Sequence, residues 1–247
     1  MTEPTDAPAP TQPTAVLPEE AIRRFAQIRD EFTRMMLGYR FGMEQVATRL
    51  EILREEFTEL HLDNPIEHIS TRVKSPESIL EKAARQGVEL DIPQLREHIT
   101  DIAGVRVICS FVADVYRLMA ALTDQPDITV RVVKDYIANP KPNGYRSLHV
   151  ILEIPVFLSS GPVQVPVEVQ FRTVAMDFWA STEHKIFYKY EGDVPAHLRQ
   201  RITDAAATAA RMDEEMAHLL SLQNAYSANA RVMSSIKQMY DALLQIS

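Results

Sequence analysis

Apolar and polar residues alternate most regularly between Val163 and Arg172. Val163, Val165, Val167, Val169 and Phe171 fall on one side, and Glu168, Gln170 and Arg172 share the other. A period of two is that of a strand with one buried face, so this segment predicts a strand whose second face carries polar chemistry. The same period marks Val105, Val107 and Cys109, the run Ile128 to Val133, and Leu148, Val150, Leu152 and Ile154, where His149, Ile151 and Glu153 take the opposite face. Pro166 has no amide hydrogen, which predicts an edge or a bulge at that point of its strand.

Elsewhere the spacing is three and four. Ile22, Phe25, Phe32 and Met36, then Val46, Leu50, Leu53, Phe57 and Leu60 beyond Gly38 and Gly42, predict two amphipathic helices within 19–62. From Pro195 the chain reads as helical again. It ends on Val232, Ile236, Met239, Leu243 and Ile246, a narrow stripe suited to packing on another helix of the same chain or a second subunit. Residues 1–18 hold five of the fifteen prolines and predict a disordered tail. Ser75-Pro76 is a helix start and Gly87 a stop. In the helix between them, Ser78, Lys82 and Arg85 share one stripe opposite Ile79 and Ala83. That stripe is either a solvated face or a phosphate cradle. Arg72 and Lys74 lead into the same helix start, where the dipole also favours anions.

Composition narrows the function classes. The 247 residues, 46% hydrophobic and 24% charged, can bury a core. With 26 Lys and Arg against 34 Asp and Glu, the net charge of −8 argues against coating duplex nucleic acid through a basic face. Cys109 stands alone, so an internal disulfide and multi-cysteine metal sites are excluded, and a small core residue is expected there. No uncharged stretch reads as a membrane span, no basic signal start precedes Arg23, and a cytoplasmic protein is expected. The seven glycines stand where neither GxxxxGK[ST] nor GxGxxG can be written, and there is no HExxH.

Two further groups of residues invite chemistry. Lys134-Asp135 is followed by Lys141, Asn143, Gly144, Tyr145 and His149, in which Lys141-Pro142-Asn143-Gly144 is first of all a turn. The turn can also present an ammonium and an aromatic ring to a ligand. Asp101 opens the strand carrying Arg106, and Glu168 sits mid-strand among valines, where a bare carboxylate is costly. Glu168 is therefore either paired with a neighbouring cation or shares an oxygen-ligated ion such as Mg²⁺ with Asp101.

The segments TRVKSPESILEKAARQG, DIAGVRVIC, KDYIANPKPNGYRSLH and VPVEVQFRTVAMDFWASTEHKIFYKY occur in this order. Together they resemble the synthetase domain of RelA/SpoT-type enzymes, with the flanking helices of the small alarmone synthetases. The resemblance implies an α+β fold, a mixed sheet of about five strands of nucleotidyltransferase-like type. Its synthetase core would span 63–194, between N-terminal helices in 19–62 and C-terminal helices in 195–247. It implies a GTP pyrophosphokinase that moves the β,γ-pyrophosphate of ATP to the 3'-hydroxyl of GTP or GDP, making (p)ppGpp and AMP in the stringent response. Pyrophosphorylation of tRNA 3' ends and a non-catalytic nucleotide- or RNA-binding relative are the alternatives.

By motif position, Arg72 and Arg106 would flank adenine, while Lys74, Ser78, Lys82 and Arg85 would hold the ATP phosphates. Asp101 and Glu168 would be catalytic and bind Mg²⁺, Glu168 also taking the hydroxyl proton. Tyr145 would stack on guanine, and Lys134, Lys141 and His149 would meet the acceptor phosphates. Asn143 and Gln170 would order the acceptor site. Asp177 and Glu183 would reach the guanine edge, although their spacing puts them about 120° apart on an ideal helix. Long family members of the basic type carry Arg where this chain has Val132, so the choice among GTP, GDP and GMP is left open. A homo-oligomer, a tetramer included, and a (p)ppGpp or single-stranded RNA regulator are also implied.

Overall fold

The computed structural model describes residues 18–61, 64–190 and 193–244; the tail expected at 1–18 lies, except for Pro18, outside them. The elements run α1 (Glu19–His61), β1 (Ile66–Val73), α2 (Pro76–Gln86), α3 (Ile92–His98), β2 (Ala103–Cys109), α4 (Val112–Thr123), β3 (Thr129–Asp135), β4 (Leu148–Leu158), β5 (Gly161–Thr173), α5 (Val174–Lys189) and α6 (Ala196–Leu244). The strands form one mixed sheet in the order β1-β2-β5-β4-β3, with only the β2/β5 pair parallel. The expected α+β architecture with helical extensions is present.

Alternation sorts the two faces. Val105, Val107, Val150, Leu152, Val165, Val167, Val169 and Phe171 are buried on one side, where α1 and α4 pack against the sheet. Pro166 sits where β2 no longer pairs with β5, since that ladder begins at Gly104 opposite Glu168. Although β5 is central, Pro166 occupies a local edge and its missing N–H breaks no ladder.

Two helical expectations change. Residues 19–61 form one helix rather than two. Gly38 and Gly42 lie inside it and face β5: a Cβ on Gly42 would stand 2.9 Å from Val165 Cγ1. The glycines bring the helix onto the sheet instead of breaking it, so tertiary packing outweighs their low helix propensity. The C-terminal region is likewise a single long helix.

β1 is a strand that alternation does not reveal. Ile66, Ile69 and Val73 are spaced three and four apart, a helical rhythm, yet they pair with Cys109, Val107 and Ala103 on one face because the register shifts between Ile66 and His68. A bulge converts the odd spacing into a common side. In contrast, α2 is as expected: Ser75 Oγ accepts from the Ser78 amide, and Gly87 closes the helix with φ 67°.

Candidate active site

The face of the sheet away from α1 is assembled by register. One row across the strands reads Ser70, Arg106, Gln170, His149 and Lys134; the next reads Arg72, Gly104, Glu168, Ile151 and Val132. Laterally paired residues share a face, so residues up to a hundred positions apart in sequence converge. Arg72, Lys74, Asp101, Arg106, Glu168 and Gln170 line one cavity of about 260 Å³. Lys82 reaches its edge from α2, while Ser78 and Arg85 stand along the Lys82 stripe without lining it.

Asp101 and Glu168 therefore stand on the same side of the sheet and on the same cavity. Asp101 Oδ2 accepts from Lys74 Nζ and Lys82 Nζ, each at 2.7 Å. Burial pushes the Asp101 carboxyl up, but the hydrogen bonds and charges of the two lysines outweigh it and hold it below the ordinary carboxylate value. Its second oxygen, Oδ1, is buried without a hydrogen-bond partner, an atom that a hard cation would satisfy. Among the described residues no three His, Cys, Asp or Glu side chains cluster for a metal. An ion here would rest on Asp101 and Glu168, with water and ligand phosphate oxygens completing its shell.

Among the described residues Glu168 has no Lys or Arg partner. Its Oε1 lies 3.0 Å from His149 Nδ1, and its Oε2 accepts from Gln170 Nε2 at 2.8 Å. Burial raises its pKa, the contacts from His149 and Gln170 lower it further than burial raises it, and the carboxyl remains below its usual value. His149 Nε2 in turn lies 2.7 Å from the Tyr145 hydroxyl. Both ring nitrogens are engaged inside the site, so a contact from His149 to an acceptor phosphate requires one of these bonds to open.

The acceptor-side residues run from the end of β3, which carries Lys134 and Asp135, through the following segment to His149 on β4. Asp135 is structural: Oδ1 accepts from the Ile137 and Ala138 amides and Oδ2 from Tyr116 Oη. That leaves exposed Lys134, opposite His149, to face a ligand. The Lys141–Gly144 turn closes with Gly144 N donating to Lys141 O at 2.8 Å. Asn143 accepts from the Tyr145 amide and donates to Glu183 Oε1 at 3.1 Å. Lys141 Nζ lies 4.6 Å from the Tyr136 ring centre and 4.7 Å from that of Tyr145.

Asp177 and Glu183 diverge on α5, as their spacing predicts. Asp177 accepts from Arg172 at 2.9 Å and stands 3.4 Å from Arg106, whereas Glu183 holds the Asn143 turn. The structure adds two residues that the motif reading did not assign, Arg172 and Tyr136. Arg172 is 5% exposed and bonds to Asp177, Tyr145 and Gln170. Its signal was its place on the Glu168 face of the strand.

A larger cavity of about 490 Å³ between α5 and α6 is lined by Val174, Phe178, Trp179 and Met212 among other apolar groups. With no charged side chain on its wall, it offers nothing to hold phosphates.

Residues 71–193 match the family model described as a region found in RelA / SpoT proteins. A second model, for the C-terminal part of flagellar basal body rod FlgEFG proteins, matches residues 210–246, which fall largely in α6. The chain is 47% identical over 189 residues to GTP pyrophosphokinase YwaC of Bacillus subtilis, covering 76% of this chain and 90% of that protein. It also resembles the crystal structure of small alarmone synthetase 1 from Bacillus subtilis bound to its product pppGpp, with TM-score 0.72, 37% identity, and coverage of 77% of this chain and 97% of the other. The same synthetase bound to AMPCPP matches with TM-score 0.67 and 34% identity, covering 78% of this chain and 97% of the other.

Proposed function

The chain belongs to the RelA/SpoT family, and on that premise we propose that it is a GTP pyrophosphokinase, transferring the β,γ-pyrophosphate of ATP to the 3'-hydroxyl of GTP or GDP. The observation that carries the reading is the joint placement of Asp101 and Glu168 on one cation-lined cavity. The proposed core spans 63–194.

ATP lies on the β1–β2–β5 side, its phosphates met by Lys74 and Lys82 with Ser78 and Arg85 further along α2, and its base between Arg72 and Arg106. The acceptor lies toward β4 and β3, its base on Tyr145 and its phosphates toward Lys134 and Lys141. Two nucleoside triphosphates bring roughly eight negative charges together, and each pair near 4 Å repels by about 4 kcal/mol at an effective dielectric of 20. The lysines and arginines named offset that repulsion locally although the chain as a whole is acidic.

Glu168 accepts the proton of the 3'-hydroxyl as its oxygen attacks the β-phosphorus in line. The bond from that phosphorus to the bridging oxygen breaks, and AMP leaves with the electron pair. Asp101 and Glu168 would hold Mg²⁺, which when bound supplies charge neutralisation at the phosphate oxygens. The lysines on Asp101 move to the ATP phosphates as these arrive.

No helix among the described residues is long and apolar enough to cross a membrane, and the proposed nucleotide substrates support a cytoplasmic location. Exposed Leu222, Tyr226, Met233 and Ile236 along α6, with Phe25 and Ile28 on α1, support a homo-oligomer built through these helices. Incubation with ATP, Mg²⁺ and GTP or GDP, followed by separation of the nucleotides, should yield (p)ppGpp and stoichiometric AMP. Release of no AMP with either acceptor would refute the assignment.

A further inference from the structure

Arg172 and Glu168 lie on the same face of β5 with Gln170 between them, and two chains of hydrogen bonds connect the guanidinium to the carboxylate. Along the first, Arg172 Nη2 donates to Gln170 Oε1 at 3.1 Å and Gln170 Nε2 donates to Glu168 Oε2 at 2.8 Å. Along the second, Arg172 Nη2 donates to Tyr145 Oη at 2.9 Å, Tyr145 Oη meets His149 Nε2 at 2.7 Å, and His149 Nδ1 meets Glu168 Oε1 at 3.0 Å. The two chains close a ring. Nη1 of the same guanidinium donates to Asp177 Oδ1 at 2.9 Å.

A guanidinium can only donate and an ionised carboxylate can only accept. The two ends therefore set the direction of every bond between them. Gln170 must turn its carbonyl to Arg172 and its NH₂ to Glu168. Because Glu168 only accepts, the ring proton of His149 sits on Nδ1; Nε2 then accepts from Tyr145, whose oxygen in turn receives from Arg172. Neutral His149 is then the Nδ1–H tautomer. Each Glu168 oxygen receives one donor and keeps a lone pair free.

We propose that Arg172 is a positioning residue for pyrophosphate transfer: it anchors the far ends of Gln170 and Tyr145, and through Gln170 and His149 the direction in which Glu168 offers its free lone pairs. The claim rests on the assignment of Glu168 as proton acceptor above. Without Arg172, Gln170 Oε1 and Tyr145 Oη lose the donor they share, and both side chains gain rotamers that no longer brace Glu168 and His149. The carboxylate then rotates out of line. A misplacement on the order of 1 Å costs about 100-fold in a reaction that depends on alignment.

The test combines a spectrum that needs no turnover with kinetics. Protein labelled with ¹⁵N in histidine, with His149 assigned by loss of its signals in His149→Gln, should show the Nδ1–H tautomer for the wild type. In Arg172→Met, where Glu168 still dictates that tautomer, kcat should fall about 100-fold with KM for ATP little changed. Arg172→Lys, whose single ammonium cannot span three acceptors, should fall between. Tyr145→Phe cuts the second chain with Arg172 in place and serves if Arg172→Met does not fold; at saturating GTP it too should lower kcat with KM for ATP little changed. An Nε2–H tautomer in the wild type, a kcat near wild type in Arg172→Met and Tyr145→Phe, or a change in KM for ATP as large as that in kcat, overturns the inference. A wild type that shows the Nδ1–H tautomer but forms no (p)ppGpp instead refutes the functional reading on which it rests.

Discussion

Gly144 joins the acceptor turn to the C-terminal helix closely enough to give a substitution there a calculable effect. Its φ is +88°, and a Cβ built on it would stand 2.4 Å from Ala206 Cβ on α6. An alanine at this position faces a backbone penalty of roughly 1–2 kcal/mol and an overpacking penalty of about 1–3 kcal/mol. The sum is about 2–5 kcal/mol if neither segment moves. Since α6 is pinned to α5 by Trp179 Nε1 donating to Ile202 O at 2.7 Å, the turn is the part that yields, and it carries Lys141, Asn143 and Tyr145. Even the lower figure corresponds to about 30-fold in binding. Gly144→Ala should therefore raise KM for GTP by at least about that factor, while KM for ATP, bound on the other side of Glu168, stays near wild type. Adding Ala206→Gly removes the contacting atom and should recover much of the GTP affinity, though not the backbone share. Initial rates of AMP release against each nucleotide measure both constants. A Gly144→Ala enzyme with unaltered GTP saturation, or one equally impaired for ATP, would refute the coupling of turn and helix.

The two glycines of α1 should respond with opposite signs. A Cβ on Gly38 would meet Val165 at 3.6 Å, an ordinary contact, so Gly38→Ala should stabilise by about 0.5–1 kcal/mol. At 2.9 Å, Gly42→Ala should destabilise by about 1–3 kcal/mol before that gain is counted; urea unfolding distinguishes the two, and stabilisation by both would contradict close packing of helix on sheet. Asp213 is buried and accepts from Thr173 Oγ1 at 2.9 Å, and burial raises its pKa. A raised carboxyl favours the folded state below its unfolded value of about 4 and loses that benefit as pH rises through the folded value. Asp213→Asn keeps an acceptor without the charge, so it should raise Tm at pH 7, with the gain shrinking as pH falls toward 4; a lower Tm at pH 7 would contradict it.

How much of this was legible depended on whether a signal was local. Ser75, Pro76 and Gly87 bound α2 through contacts within a few residues, and the turn at Gly144 is equally local, so both read directly. The polar face of β5 was legible because strand geometry alone puts Glu168, Gln170 and Arg172 on one side. What alternation could not supply was the partner of each group. Gly42 reads as a break until Val165 is seen against it, and β1 reads as helical until its bulge is placed opposite Cys109. Glu168 reads as a carboxylate in need of a cation, but its partners prove to be His149 on the neighbouring strand and Gln170 on its own, while the lysines go to Asp101. Arg172 was visible as a member of the right face; its role depends on Tyr145 and Asp177, which sequence spacing does not bring beside it.

Replacement of Glu168 by glutamine preserves shape and removes the proton acceptor. It should lower (p)ppGpp formation by about 10²–10⁴-fold, with binding of a non-hydrolysable ATP analogue in equilibrium titration largely retained. Turnover of Glu168→Gln near the wild-type rate would contradict the assignment of Glu168 as that acceptor.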